Sequence, residues 1–232
     1  VPNPEYEAAC RDFLFSMMAP DRPSHLGTEI AAFAARIAPA GAVNGLAQVV
    51  LRCASPGIPD LYQGTEFWDF SLVDPDNRRP VDWGARREAL EANLPPAELL
   101  RDWHSGRVKQ AVLTRALHLR AAKPELFTEG AYQPLAVEGP RAANVLAFAR
   151  VHKGEAAIAV ATRLSAGILG ESGLPRVEPE AWRGTELVLP RVDVATRGWR
   201  EVLTGAAHAE PGDRLPLAKV LAGLPVALLE VG

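Results

Sequence analysis

The sequence predicts an α+β chain, helical to about residue 125 and then an antiparallel β-sandwich over 126–232. Three observations predict it. Apolar residues recur at helical spacing before about residue 125. After residue 130 they fall into short runs bounded by Gly and Pro. Between the helical stripes, residues 55–66 make a turn and a short extended run, which lead into a loop of carboxylates, guanidinium groups and indoles.

In chain order, Tyr6, Cys10, Phe13 and Met17 share one face of a first helix. Ile30, Phe33, Ala34 and Ile37 form a second stripe. Val43, Leu46, Ala47, Val50, Leu51 and Ala54 form a third, at i, i+3, i+4, i+7, i+8 and i+11. Closing helices are predicted around 85–94 and 107–122. The second carries Val108, Val112, Ala116 and Leu119 on one face and ends at Lys123-Pro124, because the residue before Pro disfavours helical dihedrals. Residues 143–151 and 155–162 read as strands joined by His152-Lys153-Gly154. Further strands are predicted over 185–189, 199–203 and 226–231, with a loop over 170–183. Strands at this spacing, with no helix between them, point to a sandwich.

Composition narrows the function classes. The 232 residues are 48% hydrophobic and 23% charged, which fits a globular chain and neither disorder nor coiled coil. With 25 basic and 28 acidic residues, the net charge of −3 lacks a nucleic-acid footprint. Apolar runs are broken by Arg, Gly or Pro short of the ~18 residues of a membrane span. The first residues show no basic region followed by an apolar stretch, so no signal peptide is expected, and a start without Met reads as a cut or processed end. Cys10 and Cys53 lie far apart in apolar surroundings, which excludes a disulfide scaffold and predicts a reducing, cytoplasmic setting. There is no glycine-rich phosphate loop and no Cys or His cluster; the histidines are scattered at 25, 104, 118, 152 and 208. Asp74, Asp76 and Asn77 match part of a calcium loop without its glycine or distal Glu. Neither a metal nor a cofactor is expected.

The chemistry-bearing stretch follows the third stripe. Ser55-Pro56-Gly57 makes a turn, residues 58–62 a short strand, and Gly64 breaks it. Asp69, Asp74, Asp76, Arg78, Arg79 and Asp82 follow, interleaved with Trp68, Phe70 and Trp83. Carboxylates and Arg give directed hydrogen bonds to sugar hydroxyls, and indoles cover the apolar face of a pyranose. In a β/α barrel such groups gather on loops leaving the C-terminal ends of strands.

The run Pro56-Gly57-Ile58-Pro59-Asp60-Leu61-Tyr62-Gln63-Gly64-Thr65-Glu66 resembles the eighth-strand segment of the α-amylase clan. The run Leu72-Val73-Asp74-Pro75-Asp76-Asn77-Arg78-Arg79-Pro80-Val81-Asp82 is similar to the maltooligosyltrehalose synthase family within it. Pro2-Asn3-Pro4-Glu5-Tyr6-Glu7, Asn44-Gly45-Leu46-Ala47-Gln48 and Gly106-Arg107-Val108-Lys109 are similar to other stretches of that family, in the same order. The resemblance reaches about Arg120 and is most specific from Pro56 to Asp82.

The resemblance implies an architecture. Residues 1–125 would be the C-terminal helical part of a catalytic barrel with its eighth strand and loop, and 126–232 a β-sandwich domain. It also implies an activity: isomerisation of the reducing-end α-1,4 linkage of a maltooligosaccharide to an α,α-1,1 linkage, by retaining chemistry on two carboxylates about 5 Å apart. The clan's catalytic Asp and Glu lie on its fourth and fifth strands, with a third Asp after its seventh. This chain has no Gly-Phe-Arg-x-Asp stretch and no His-Asp pair. No catalytic residue is therefore assigned, and the chain alone is expected to be inactive. A substrate-binding or pocket-shaping role is expected for Asp60, Tyr62, Gln63, Glu66, Trp68, Asp74, Asp76, Asn77, Arg78 and Arg79. The partner is a maltooligosaccharide or α-glucan, with no nucleic acid and no membrane. Another transglycosidase of the α-amylase clan is a same-class alternative, and two other classes remain. A glucan-binding module would need exposed aromatics among Phe127, Tyr132, Phe148, Trp182 and Trp199. A β-domain that only shields a barrel would not.

Overall fold

Helix α1 (Pro4–Met18) begins where Asn3 accepts a hydrogen bond from the Tyr6 N–H at 3.2 Å and Pro4 supplies a preset φ. The computed structural model describes residues 2–19, 24–71, 78–190, 198–208 and 212–231. Two units result, residues 1–39 and 40–232.

In the first unit, Ser24 Oγ donates to the Met17 carbonyl at 2.7 Å and accepts from Gly27 N–H at 2.9 Å, turning α1 into the start of α2 (His25–Ala54). Helix α1 spans the predicted first stripe, but no residue of α1 is buried, and Tyr6 and Phe13 stay 67% and 62% exposed. The second and third stripes are not separate helices. Both belong to α2, which runs through Pro39. By length and composition alone α2 is apolar enough to cross a membrane, with a window of mean hydropathy 1.3, although Arg, Gly and Pro interrupt its apolar runs as predicted. Single Arg, Gly and Pro residues punctuate a sequence without ending a helix. In the second unit the end of α2 is a core element: Val43, Leu46 and Val50 are fully buried.

The rest of the helical part comprises α3 (Trp83–Ala92), α4 (Pro96–Leu99), a 3₁₀ turn (Leu100–Ser105), α5 (Arg107–Ala122) and α6 (Pro124–Thr128). Asp82 caps α3 by accepting from Ala85 N–H at 2.9 Å. Lys123-Pro124 ends α5 as predicted, and Pro124 then starts α6, because its fixed φ suits a first helical position.

Nine short strands follow among the described residues: β1 (Ala131–Pro134), β2 (Val137–Glu138), β3 (Val145–His152), β4 (Glu155–Thr162), β5 (Glu186–Val188), β6 (Trp199–Glu201), β7 (Ala207–His208), β8 (Arg214–Pro216) and β9 (Val226–Val231), with α7 (Leu217–Val220) before the last. Every pairing is antiparallel, in a six-stranded sheet β1-β3-β4-β9-β6-β7 and a three-stranded sheet β2-β5-β8. The β3–β4 hairpin turns at Lys153 (φ 45°) and Gly154 (φ 81°), the left-handed pair that matches strand twist.

Ala147, Ala149, Ile158, Val160, Ala227 and Leu229 of the large sheet share one core with Leu187 and Leu215 of the small sheet, around Trp182. The opposite face of β3 and β4 carries Phe148, Arg150, Ala157 and Ala159, all buried, with α6 packed on it. Cover on both faces is why β4 reads as an unbroken apolar run rather than an alternating one.

Residues 58–62 are not a strand. A parallel barrel strand needs neighbours for its N–H and C=O groups, and none of the described strands lies beside this run. Side chains hold it instead: Arg52 Nη1 donates to the Asp60 carbonyl at 2.7 Å, and the Tyr62 carbonyl accepts from Thr65 Oγ1 at 2.6 Å. Ile58 stands 94% exposed.

Cys53 is buried at the end of α2, and burial pushes its thiol up to about 11, against the pull of Arg120 and Arg52. The folded chain therefore holds a proton that the unfolded chain releases above about pH 9. Stability from this group is complete below about pH 9 and lost as pH rises toward about 11, by roughly 2 kcal/mol. Urea titrations of wild type and Cys53→Ala at pH 8 and pH 10.5 should show the steeper decline in wild type. Equal declines would contradict it.

Candidate functional site

A cleft of about 340 Å³ opens between the end of α2, the 60–69 loop and the start of α5. Gln48 and Arg52 enter it from α2, Asp60, Tyr62, Thr65 and Asp69 from the loop, and Lys109 from α5. Helical spacing explains the α2 pair, since Gln48 and Arg52 are four residues apart on the edge of the buried stripe. The loop is shaped by Gly57 and Gly64, at φ 93° and 85°, a conformation that residues with a Cβ rarely adopt.

Lys109 is the half-buried charge of the cleft. Its ammonium donates to the Phe67 carbonyl at 3.0 Å and lies 5.8 Å from the Trp68 ring centroid. Burial holds its pKa below the usual lysine range, while Asp69 pulls it up and Arg52 pushes it further down. The Ser71 side chain, and after it the Ser71 N–H from which Asp69 accepts at 2.9 Å, hold the Asp69 carboxyl below the usual range. Ammonium, guanidinium, two carboxylates, an amide and a phenol around one opening offer donors and acceptors to a polyhydroxyl ligand.

Of the expected binding residues, Asp60 and Tyr62 line this cleft. Gln63 is exposed in the adjacent turn. Glu66 is engaged elsewhere: its carboxylate accepts from Arg86 Nε at 3.0 Å, and Arg86 also donates to the Gly64 carbonyl at 2.6 Å and stacks over Phe67. Trp68 is wedged in place, with its indole N–H bonded to the Trp103 carbonyl and its ring edge-on to Trp103. Arg78 and Arg79 are exposed. Asp74, Asp76 and Asn77 lie outside the described residues. Among the described residues no three His, Cys, Asp or Glu side chains gather as metal ligands.

Gln48, Arg52 and Lys109 were not among the expected residues. A usable signal existed for two of them, since Gln48 and Lys109 fall in the short family-like stretches at 44–48 and 106–109. The glycines of those stretches face Trp68 and its neighbour. A Cβ on Gly45 would meet Trp68 Cζ3 at 2.9 Å, and one on Gly106 would meet Phe67 Cβ and Trp68 N at 2.8 Å. Gly106 also sits at φ 77°. Gly106→Ala should cost about 1–3 kcal/mol and shift tryptophan emission as Trp68 leaves its seat. Unchanged Tm and emission would contradict that packing.

The β region presents no aromatic platform among the described residues. Phe127, Phe148, Trp182 and Trp199 are buried, and half-exposed Tyr132 lies against Phe148 at 4.8 Å.

No protein-family model matches the chain. It is 37% identical over 204 residues, 88% of its length, to a Mycobacterium tuberculosis protein described as a maltooligosyl trehalose synthase. The solved maltooligosyltrehalose synthase of Arthrobacter ramosus superposes with a TM-score of 0.74 at 36% identity, over 98% of this chain and 27% of that one. Another solved maltooligosyl trehalose synthase gives a TM-score of 0.69 at 25% identity, over 98% of this chain and 26% of that one. An Anoxybacillus α-amylase shares the fold at a TM-score of 0.51 and 16% identity, over 82% of this chain and 32% of that one. The chain spans only 22% of the curated relative's length. Sequence and fold alike are similar to the C-terminal part of these enzymes.

Proposed function

We propose that this chain, so similar to the C-terminal part of the maltooligosyltrehalose synthases, is that part of an enzyme that isomerises the reducing-end α-1,4 linkage of maltooligosaccharides to an α,α-1,1 linkage. The observation that carries the reading is 37% identity sustained over 88% of the chain. Residues 1–125 are then the end of a catalytic barrel and 126–232 a β-sandwich domain, whose two sheets close on one core. Residues 58–62 become the eighth barrel strand once the preceding strands lie beside them, which accounts for Ile58 standing almost wholly exposed. The setting is cytoplasmic and the ligand a maltooligosaccharide.

The reaction passes through a glucosyl carboxylate and must keep water from it. No residue of this chain is assigned nucleophile or acid. Asp60, Tyr62, Gln63, Asp74, Asp76, Asn77, Arg78 and Arg79 bind or bound the sugar at the reducing end. Glu66 and Trp68, both held by neighbours, fix the loop that carries them. Incubated with maltohexaose, the isolated chain should leave the titre of reducing ends constant, while the complete protein should lower it. Loss of reducing ends with the isolated chain would show that it carries catalytic groups of its own.

A further inference from the structure

The main chain from Cys53 to Gly64 is gripped by arginines from four elements. Helix α2 ends at Ala54, where its last carbonyls lack intrahelical partners. Arg120 of α5 donates through Nη1 to the carbonyls of Cys53 at 2.7 Å and Ser55 at 3.3 Å, and through Nη2 to Gly57 at 2.5 Å. Arg150 of β3, 1% exposed, donates through Nη1 to the Ala54 carbonyl at 3.4 Å and through Nη2 to the Gly130 carbonyl at 2.6 Å. Arg52 and Arg86 then hold the carbonyls of Asp60 and Gly64. The Arg120 guanidinium also lies 5.0 Å over the Phe127 ring.

A guanidinium buried in a sheet is an expensive way to fill space, and its Nε has no partner here. What it provides is reach: a rigid fork that spans from the sheet to the end of α2 and to Gly130, while Arg120 holds the start of the cleft loop. Positive charge at the C-terminus of α2 also complements the helix dipole. Neither Arg120 nor Arg150 lines the cleft.

We infer that Arg120 and Arg150 are positioning residues, which set the path of residues 53–64 and thereby the places of Asp60 and Tyr62 in the cleft. Through β3, the β region contributes directly to the geometry of the site. The clamp itself stands on the contacts above; its consequence for turnover rests on the proposed function.

Two measurements test it. In the isolated chain, amide hydrogen exchange compares wild type with Arg120→Met, Arg120→Lys and Arg150→Met, each at a temperature where its circular dichroism is native. Exchange over residues 55–66 should quicken about tenfold in the Met variants and less in Arg120→Lys, with α5 unchanged. In the complete protein acting on maltohexaose, the Met variants should raise KM or the hydrolysed fraction about tenfold, and Arg120→Lys should recover part of it. Unchanged exchange over 55–66 overturns the clamp. Faster exchange with wild-type KM and hydrolysed fraction overturns the positioning role, leaving only a stabilising one. A wild-type complete protein that does not act on maltooligosaccharides overturns the proposed function, while exchange still decides the clamp.

Discussion

Glu201→Ala should lower the stability of this chain by about 3–5 kcal/mol. The Glu201 side chain is 2% exposed and receives four hydrogen bonds: from Leu203 N–H at 3.1 Å, Thr204 N–H at 2.6 Å, Thr204 Oγ1 at 2.5 Å and Leu228 N–H at 3.0 Å. Burial pushes its carboxyl up, and these donors pull against that. One carboxylate thereby closes the turn after β6 and fastens it to β9. Truncation strips the acceptor from all four donors, and the N–H groups of Leu203 and Leu228 are then left unpaired in the buried interior, while Thr204 can turn to water. Glu201→Gln should fall between, because its amide nitrogen faces donors. Urea unfolding with an unchanged m value checks both; a loss under 1 kcal/mol for Glu201→Ala would contradict this account.

The second large effect concerns Trp182, 1% exposed at the centre of the core shared by the two sheets. Trp182→Ala should cost about 3–5 kcal/mol, the lost transfer energy plus an unfilled cavity. Trp182→Phe should cost only about 1–2 kcal/mol, because the indole Nε1 has no hydrogen-bond partner and its removal orphans nothing. Equal losses in the two variants would mean that the indole nitrogen is bonded after all.

What was legible in the sequence was local. The β3–β4 hairpin, α5 and β9 stand where periodicity and turn residues put them, because burial on a defined face writes itself into the apolar spacing. The short strands β1, β2, β7 and β8 carry too few residues to show a period. Residues 58–62 failed for another reason: such a run becomes a strand only beside partners, and among the described residues no strand lies beside it. The carboxylate-rich loop was legible as a concentration of charge but not as roles. Asp82 turns out to cap α3, Asp69 to hold Ser71 and Glu66 to pair with Arg86, since residue type carries no direction. Gln48, Arg52 and Lys109 were passed over because a polar residue beside a helical stripe reads as a solvated face. Only their meeting in three dimensions turns them into a cleft lining.

On the proposed function, this chain completes an enzyme that rearranges one glucosidic bond without consuming water. The most direct measurement follows the complete protein acting on maltohexaose by NMR of the anomeric protons. Reducing-end signals should fade while an α,α-1,1 signal grows in step, at constant chain length and with little free glucose. Glucose and shortened oligosaccharides appearing as reducing ends increase would contradict the account and make the enzyme a hydrolase.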